Sequence, residues 1–141
     1  MPTLPIPIYI AHPLMGTTDF AQANGWGDPE KNVERYLHFA AWASNSGYAV
    51  ISWVHHYLMH SRGLTKGDAD FYLSRDKVLL QPAKRLWVAG DPRASSGVGD
   101  EIRWAREFGI PIVQFPEWMD PAWRPDPHTS FPPYPMPGQV V

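Results

Sequence analysis

The run Ser95-Ser96-Gly97-Val98-Gly99-Asp100-Glu101-Ile102 carries the strongest chemical signal in the chain. It opens a helical stretch whose first turn is rich in glycine and whose free backbone N–H groups form a cradle for an anion. Gly97 lets a ligand approach the backbone, and Glu101, four residues on, falls on the same helical face. A carboxylate near the positive end of a helix is expected to stay ionised, which suits a nucleophile. The same residues also fit an amphipathic helix with a serine cap and a surface glutamate, since such caps are common.

Other side chains join this one by position. Tyr9 lies on an apolar run, Ile6 to His12, where its phenol either orients a carboxylate or fills the core. Gly16 and Thr17 offer flexible backbone and a hydroxyl just beyond that run, too short a stretch for a named phosphate loop. His55, His56 and His60 do not have the spacing of a zinc site, and no metal is expected. They read as loop histidines beside a polar pocket. Trp26, Trp53 and His55 are candidates to sandwich a flat ring, although Trp53 equally suits a core. Asp76, between Arg75 and Lys77, reads from spacing alone as a solvated helix acid paired with one of them.

These residues need a frame. The chain has 141 residues, 44% apolar and 18% charged, enough for a single domain with a real core. Net charge is −2 with no block of one sign, which argues against a nucleic-acid partner. Cysteine is absent, excluding disulfides and thiolate chemistry and fitting a cytoplasmic protein. The first residues lack a basic, then apolar, leader pattern, and no stretch is long and apolar enough to span a membrane.

Ile6 to His12 predicts a strand and Pro13 to Gly27 a long loop. Asp28-Pro29-Glu30 is a good helix start, with Val33, Leu37, Ala40 and Ala43 at helical spacing and Gly47 as the stop. Tyr48 to Val54 reads as a buried strand and His55 to Lys66 as a polar loop. Asp68 or Asp70 caps a helix to about Gln81, with Phe71, Val78 and Leu79 inward. Arg85 to Ala89 is a strand, Ser96 to Phe108 a helix capped by Gly109, and Pro111 to Phe115 a last strand. Strands separated by helices imply parallel pairing. The expected fold is α/β: a small doubly wound parallel sheet of the flavodoxin-like or Rossmann-like three-layer kind. Ligands bind such sheets beyond the carboxyl ends of the strands.

Half of the 16 prolines follow Phe115. The segment 116–141 mixes them with Trp118, Trp123, Phe131 and Tyr134 and cannot make helix or central strand. It reads as an irregular arm beyond an α/β domain of residues 1–115, packed on its own domain or on a neighbouring subunit.

Taken in order, these pieces resemble the nucleoside 2′-deoxyribosyltransferase-like superfamily. Ile8-Tyr9-Ile10-Ala11-His12-Pro13 is similar to its first strand and sugar/phosphate loop, with His12 where the family commonly has glycine. Asn32 to Gly47 resembles its first helix, Asp76 its helix acid, and Ser95 to Ile102 its SxGxGxE signature. The likeness covers residues 6–115. It implies that Glu101 attacks C1′ of a ribose or deoxyribose, that Tyr9 orients Glu101, and that Asp76 contacts the base or protonates it. Ser95, where transferases tend to carry aspartate, implies a 5′-monophosphate held by Ser95, Ser96, Gly97, His12, Gly16 and Thr17, with Trp53 and His55 at the base. The expected activity is hydrolysis of a nucleoside 5′-monophosphate to base and sugar phosphate. It needs no cofactor, and a homo-oligomer whose subunits complete each other's pockets is expected. Base exchange by a transferase, a nucleotide-binding module without turnover, and an accessory protein working through its Pro/Trp tail are the alternatives.

Overall fold

A computed structural model describes residues 4–65, 67–129 and 139–140. Five strands form one sheet: β1 (Ile6–Ala11), β2 (Tyr48–Ile51), β3 (Arg85–Val88), β4 (Ile112–Gln114) and β5 (Gln139–Val140). Their order is β2-β1-β3-β4-β5. β1 pairs parallel with β2 and β3, β3 pairs parallel with β4, and β5 runs antiparallel on the β4 edge. The doubly wound α/β fold expected from the sequence is therefore the observed one. The sheet leaves β1 toward β2 on one side and toward β3 on the other. Right-handed crossovers in opposite directions put helices on opposite faces and open a crevice at the carboxyl ends of β1 and β3.

Among the described residues five α-helices connect the strands: α1 (Asp19–Ala23), α2 (Pro29–Asn45), α3 (Val54–Ser61), α4 (Ala69–Leu80) and α5 (Ser96–Phe108). Asp28 caps α2 by accepting from Glu30 and Lys31 N–H, Asp68 caps α4 from Phe71, and Ser95 caps α5 from Val98. Gly109 ends α5 at φ +70°, a left-handed conformation in which glycine has no Cβ penalty. Ile8, Tyr9, Ile10 and Ala11 are all fully buried, as a central parallel strand covered on both faces must be.

Several boundaries differ from the reading by pattern. The loop after β1 contains α1, which Thr18 nucleates by accepting from the Ala21 N–H. The strand Tyr48–Ile51 stops short of Val54, and the histidines after it lie on helix α3 rather than in a loop. On α2 the buried residues are Asn32, Arg35, Tyr36, Phe39, Trp42 and Ala43, while Leu37 is 52% exposed. The rings bury more area than the small apolar residues, so they set the inner face. On α4 the same competition leaves Val78 exposed, and Leu80 is the buried residue.

Arg35 holds the carboxyl end of the sheet and the arm together. It is 1% exposed and carries no carboxylate partner among the described residues. Its Nε donates to Trp123 O (2.8 Å) and Nη2 to Trp118 O (2.6 Å) and Asp120 O (3.0 Å). Nη1 donates to Ala89 O and to His12 Nε2 (3.0 Å). Trp26 and Phe39 rings lie 5.0 and 4.9 Å from the guanidinium. Residues 116–129 thus pack on their own domain: Trp118, 1% exposed, meets Phe39, Trp42 and Trp87. Phe131 and Tyr134 lie outside the described residues.

Candidate active site

A cavity of about 350 Å³ lies at the carboxyl ends of the parallel strands, between the β1–α1 loop, α3, α4 and the start of α5. Asn32 fixes that loop by donating to Leu14 O (2.8 Å) and Trp26 O (2.9 Å), and Gln22 donates to Gly16 O (2.6 Å). Gly16 sits at φ +66° with its missing Cβ directed at the Trp26 carbonyl and Gly27, so no other residue fits the turn. Gly16, Thr17, Ser95, Ser96 and Gly97 all line the cavity, as do His12, Trp53, Asp76 and Glu101. A Cβ at Gly97 would meet only Ser95 Oγ at 3.5 Å and Leu73 at 3.7 Å, ordinary contacts. The protein's own packing therefore does not require glycine there; the room it leaves belongs to the cavity.

Glu101 is 6% exposed and faces this space from the second turn of α5. Burial pushes its carboxyl well above the ordinary range, the nearby Asp76 and Asp100 add to the rise, and the Tyr9 phenol opposes it. Against the expectation of an ionised glutamate, desolvation opposes charge here and works against the helix field. Tyr9 lies beneath the cavity, fully buried, with its hydroxyl beside Glu101 but in no completed hydrogen bond. Burial and the two carboxyl groups raise the phenol, so it stays a donor.

Asp76 is not a solvated acid. Its side chain is 15% exposed, and Oδ1 lies 2.7 Å from His56 Nδ1 in place of the expected Arg75 or Lys77. Burial raises Asp76 to about 7. Burial, helped by His55 and Arg75, lowers His56. The two atoms approach to 2.7 Å without completing a hydrogen bond, and both directions favour uncharged partners, a carboxylic acid beside a neutral imidazole. A charge on Asp76 adds to the cost of ionising Glu101, so the doubly ionised pair is disfavoured.

The other candidates divide. Trp53 lines the cavity but spends its indole N–H on Ile10 O (2.8 Å), so it offers a ring face only. His12 also lines it, with Nδ1 on Pro13 O (2.6 Å) and Nε2 on Arg35; burial and Arg35 hold its pKa down at about 3. Its place is in the scaffold of the cavity wall, with no ring nitrogen left for an anion. His55 is exposed and outside the cavity wall, corrected by a single helical step: on α3, residue 56 rather than 55 turns inward. Trp26 packs with Ala21 and Ala94 away from the cavity and does not sandwich a ligand.

His56 and His60, expected beside a polar pocket, line the cavity from α3, joined by Tyr57 on α3 and Tyr72 on α4, which pattern reading missed. Recognising α3 as a helix would have placed His56 and His60 one turn apart on one face. Tyr36 is not among the cavity-lining residues; burial, with a smaller contribution from Glu101, raises its phenol to about 12 against an opposing contact with Ser52, and its hydroxyl completes no hydrogen bond. Among the described residues no group of three His, Cys, Asp or Glu converges as metal ligands, and no helix is long and apolar enough to cross a membrane. Against known protein families, curated proteins and solved structures, this chain finds no match.

Proposed function

We propose that the cavity is the active site of an N-glycosidase acting on a nucleoside 5′-monophosphate through a glycosyl-enzyme. The observation that carries the reading is a pair of buried, electrically coupled carboxyls, Glu101 and Asp76, facing one sugar-sized cavity with the Tyr9 phenol beside the first. A retaining glycosidase needs one acid ionised and the other protonated. In this reading Tyr9 and the N-terminal field of α5 offset the burial that raises Glu101, while Asp76, raised by burial to about 7, keeps the proton.

Glu101 attacks C1′ as the bond to the base breaks and Asp76 gives its proton to the leaving base. Water then attacks C1′ and releases the Glu101 carboxylate, while its proton returns to Asp76. The anion of the substrate sits at the first turn of α5. There Ser96 and Gly97 N–H groups are free of intrahelical acceptors, and Ser95 Oγ, already accepting from Val98 N at 3.3 Å, keeps its own O–H to donate. Among the described residues no Lys or Arg lines the cavity, so phosphate binding rests on these dipoles and the Thr17 hydroxyl. The flat base lies between Trp53 and the α3–α4 wall. A second copy of the chain covers the open mouth, where Met15 is exposed.

Chromatography of ribo- and deoxyribonucleoside monophosphates incubated with the protein tests the reading. Free base and sugar phosphate are expected. A new nucleoside on adding a second free base would assign a transferase instead, and tight binding without release of base would assign a binding module. Sedimentation at micromolar concentration tests the dimer, which a monomeric mass would exclude.

A further inference from the structure

His56 is a cavity residue that neither the glutamate signature nor the strand pattern singles out, and its geometry assigns it a task. We propose that His56 is a positioning residue for Asp76: its Nδ1–H donates to Oδ1, leaving the acidic proton on Oδ2, the oxygen free to meet the departing base. The inference rests on the N-glycosidase reading for its chemistry, though not for its geometry.

The two groups come from different helices, α3 and α4, and approach to 2.7 Å with side chains 9% and 15% exposed. Among the described residues neither Nδ1 nor Oδ1 meets any other polar partner, and the 2.7 Å contact is not itself an aligned hydrogen bond, so the proposed donation requires the imidazole to turn into line with Oδ1. The titratable and charged groups around them are His55 and His60 on α3, Tyr72 and Arg75 on α4, Glu101 on α5 and Tyr9 on β1. His55 and Arg75 disfavour an imidazolium at position 56, as does burial. A neutral ring carries one proton. Were it on Nε2, Nδ1 would have to accept from Oδ1–H, tying the acidic proton to the imidazole and away from the substrate. Placed on Nδ1, it leaves Oδ2–H available and serves both halves of the reaction without rearrangement. Oδ1 accepts the same hydrogen bond when Asp76 is an acid and when, having protonated the base, it is a carboxylate. The neighbouring Tyr72 ring, 5.6 Å from His56 between centroids, helps hold the imidazole in place.

Two measurements decide it. The first compares a natural nucleoside monophosphate with a 4-nitrophenyl deoxyriboside 5-phosphate, whose leaving group departs as an anion and needs no proton. His56→Phe keeps an aromatic ring and deletes the donor; the ratio of natural to activated rates should fall by about tenfold or more. His56→Asn, whose amide N–H replaces Nδ1–H, should recover most of that ratio. Equal loss on both substrates, or no loss, overturns the assignment. The second measurement needs no turnover: long-range 1H–15N spectra of the wild-type protein at pH 7.5 should show His56 as the neutral Nδ1–H tautomer. An Nε2–H tautomer or an imidazolium overturns the proposal. If no nucleotide releases base yet the Nδ1–H tautomer is present, the enzymatic reading fails and the positioning of Asp76 by His56 stands.

Discussion

Two regions of this molecule bury ionisable groups, and they treat them in opposite ways. Behind the sheet end, Arg35 is fully enclosed and every donor nitrogen finds a carbonyl or an imidazole, with aromatic rings on two sides. In front, around the cavity, Tyr9, Tyr36, His56 and Asp76 each bury a polar atom with no completed hydrogen bond, and all four couple electrically to Glu101 or to one another. A buried polar group left incomplete costs about 1–3 kcal/mol, so a fold accumulates several in one place only where something else completes them. Satisfied burial builds the frame. Unsatisfied burial is not confined to the cavity, since Trp87 Nε1 and Arg124 Nε also lack partners among the described residues, but near the cavity it falls on groups coupled to Glu101 or to one another.

The contrast makes opposite demands on substitutions. Glu101→Gln should abolish base release, a loss of about a thousandfold or more in kcat, while raising the melting temperature at neutral pH, because it removes a buried carboxyl that resists ionisation. Loss of stability together with activity would put Glu101 in the frame instead. Arg35→Leu should do the reverse. It leaves the carbonyls of Ala89, Trp118 and Trp123 unpaired and should cost about 3–5 kcal/mol in urea denaturation.

Asp76→Asn sharpens the comparison through pH. The folded-state carboxyl titrates at about 7, above its ordinary value of 3.8. The folded protein therefore holds a proton that the unfolded chain has released, and Asp76 erodes stability as pH rises from about 4 to 7. The variant should match wild type near pH 4 and exceed it in melting temperature by pH 8. Its rate should be down about a hundredfold, as for a lost general acid. A gap that closes with rising pH would reverse the assignment. Tyr9→Phe should have the smallest effect on stability, near zero or slightly favourable, because the hydroxyl it deletes has no completed bond. Calorimetry checks that, and a rate about tenfold or more below wild type checks the phenol's action on Glu101.

Much of this arrangement is legible in the chain. Asp28-Pro29, Asp68, Ser95 and Gly109 mark helix ends because capping is local chemistry, decided within three or four residues. The apolar runs around Tyr9 and Trp87 mark central strands because burial on both faces leaves no room for alternation. Alternating elements then force parallel order and, with it, a crevice that gathers Gly16, Ser95 and Glu101.

Pairing across elements was not legible. Asp76 has charged neighbours in sequence, Arg75 and Lys77, yet its partner is His56, twenty residues away on another helix. His55 and His56 differ by one position, and only the turn of α3 against the cavity chooses between them. Glu101's protonation depends on how much water the fold removes, which no spacing records. Local sequence sets caps, strands and their order because those interactions close within a few residues. Burial, partners and charge at the site were decided by tertiary packing, because desolvation is a property of everything that surrounds a group at once.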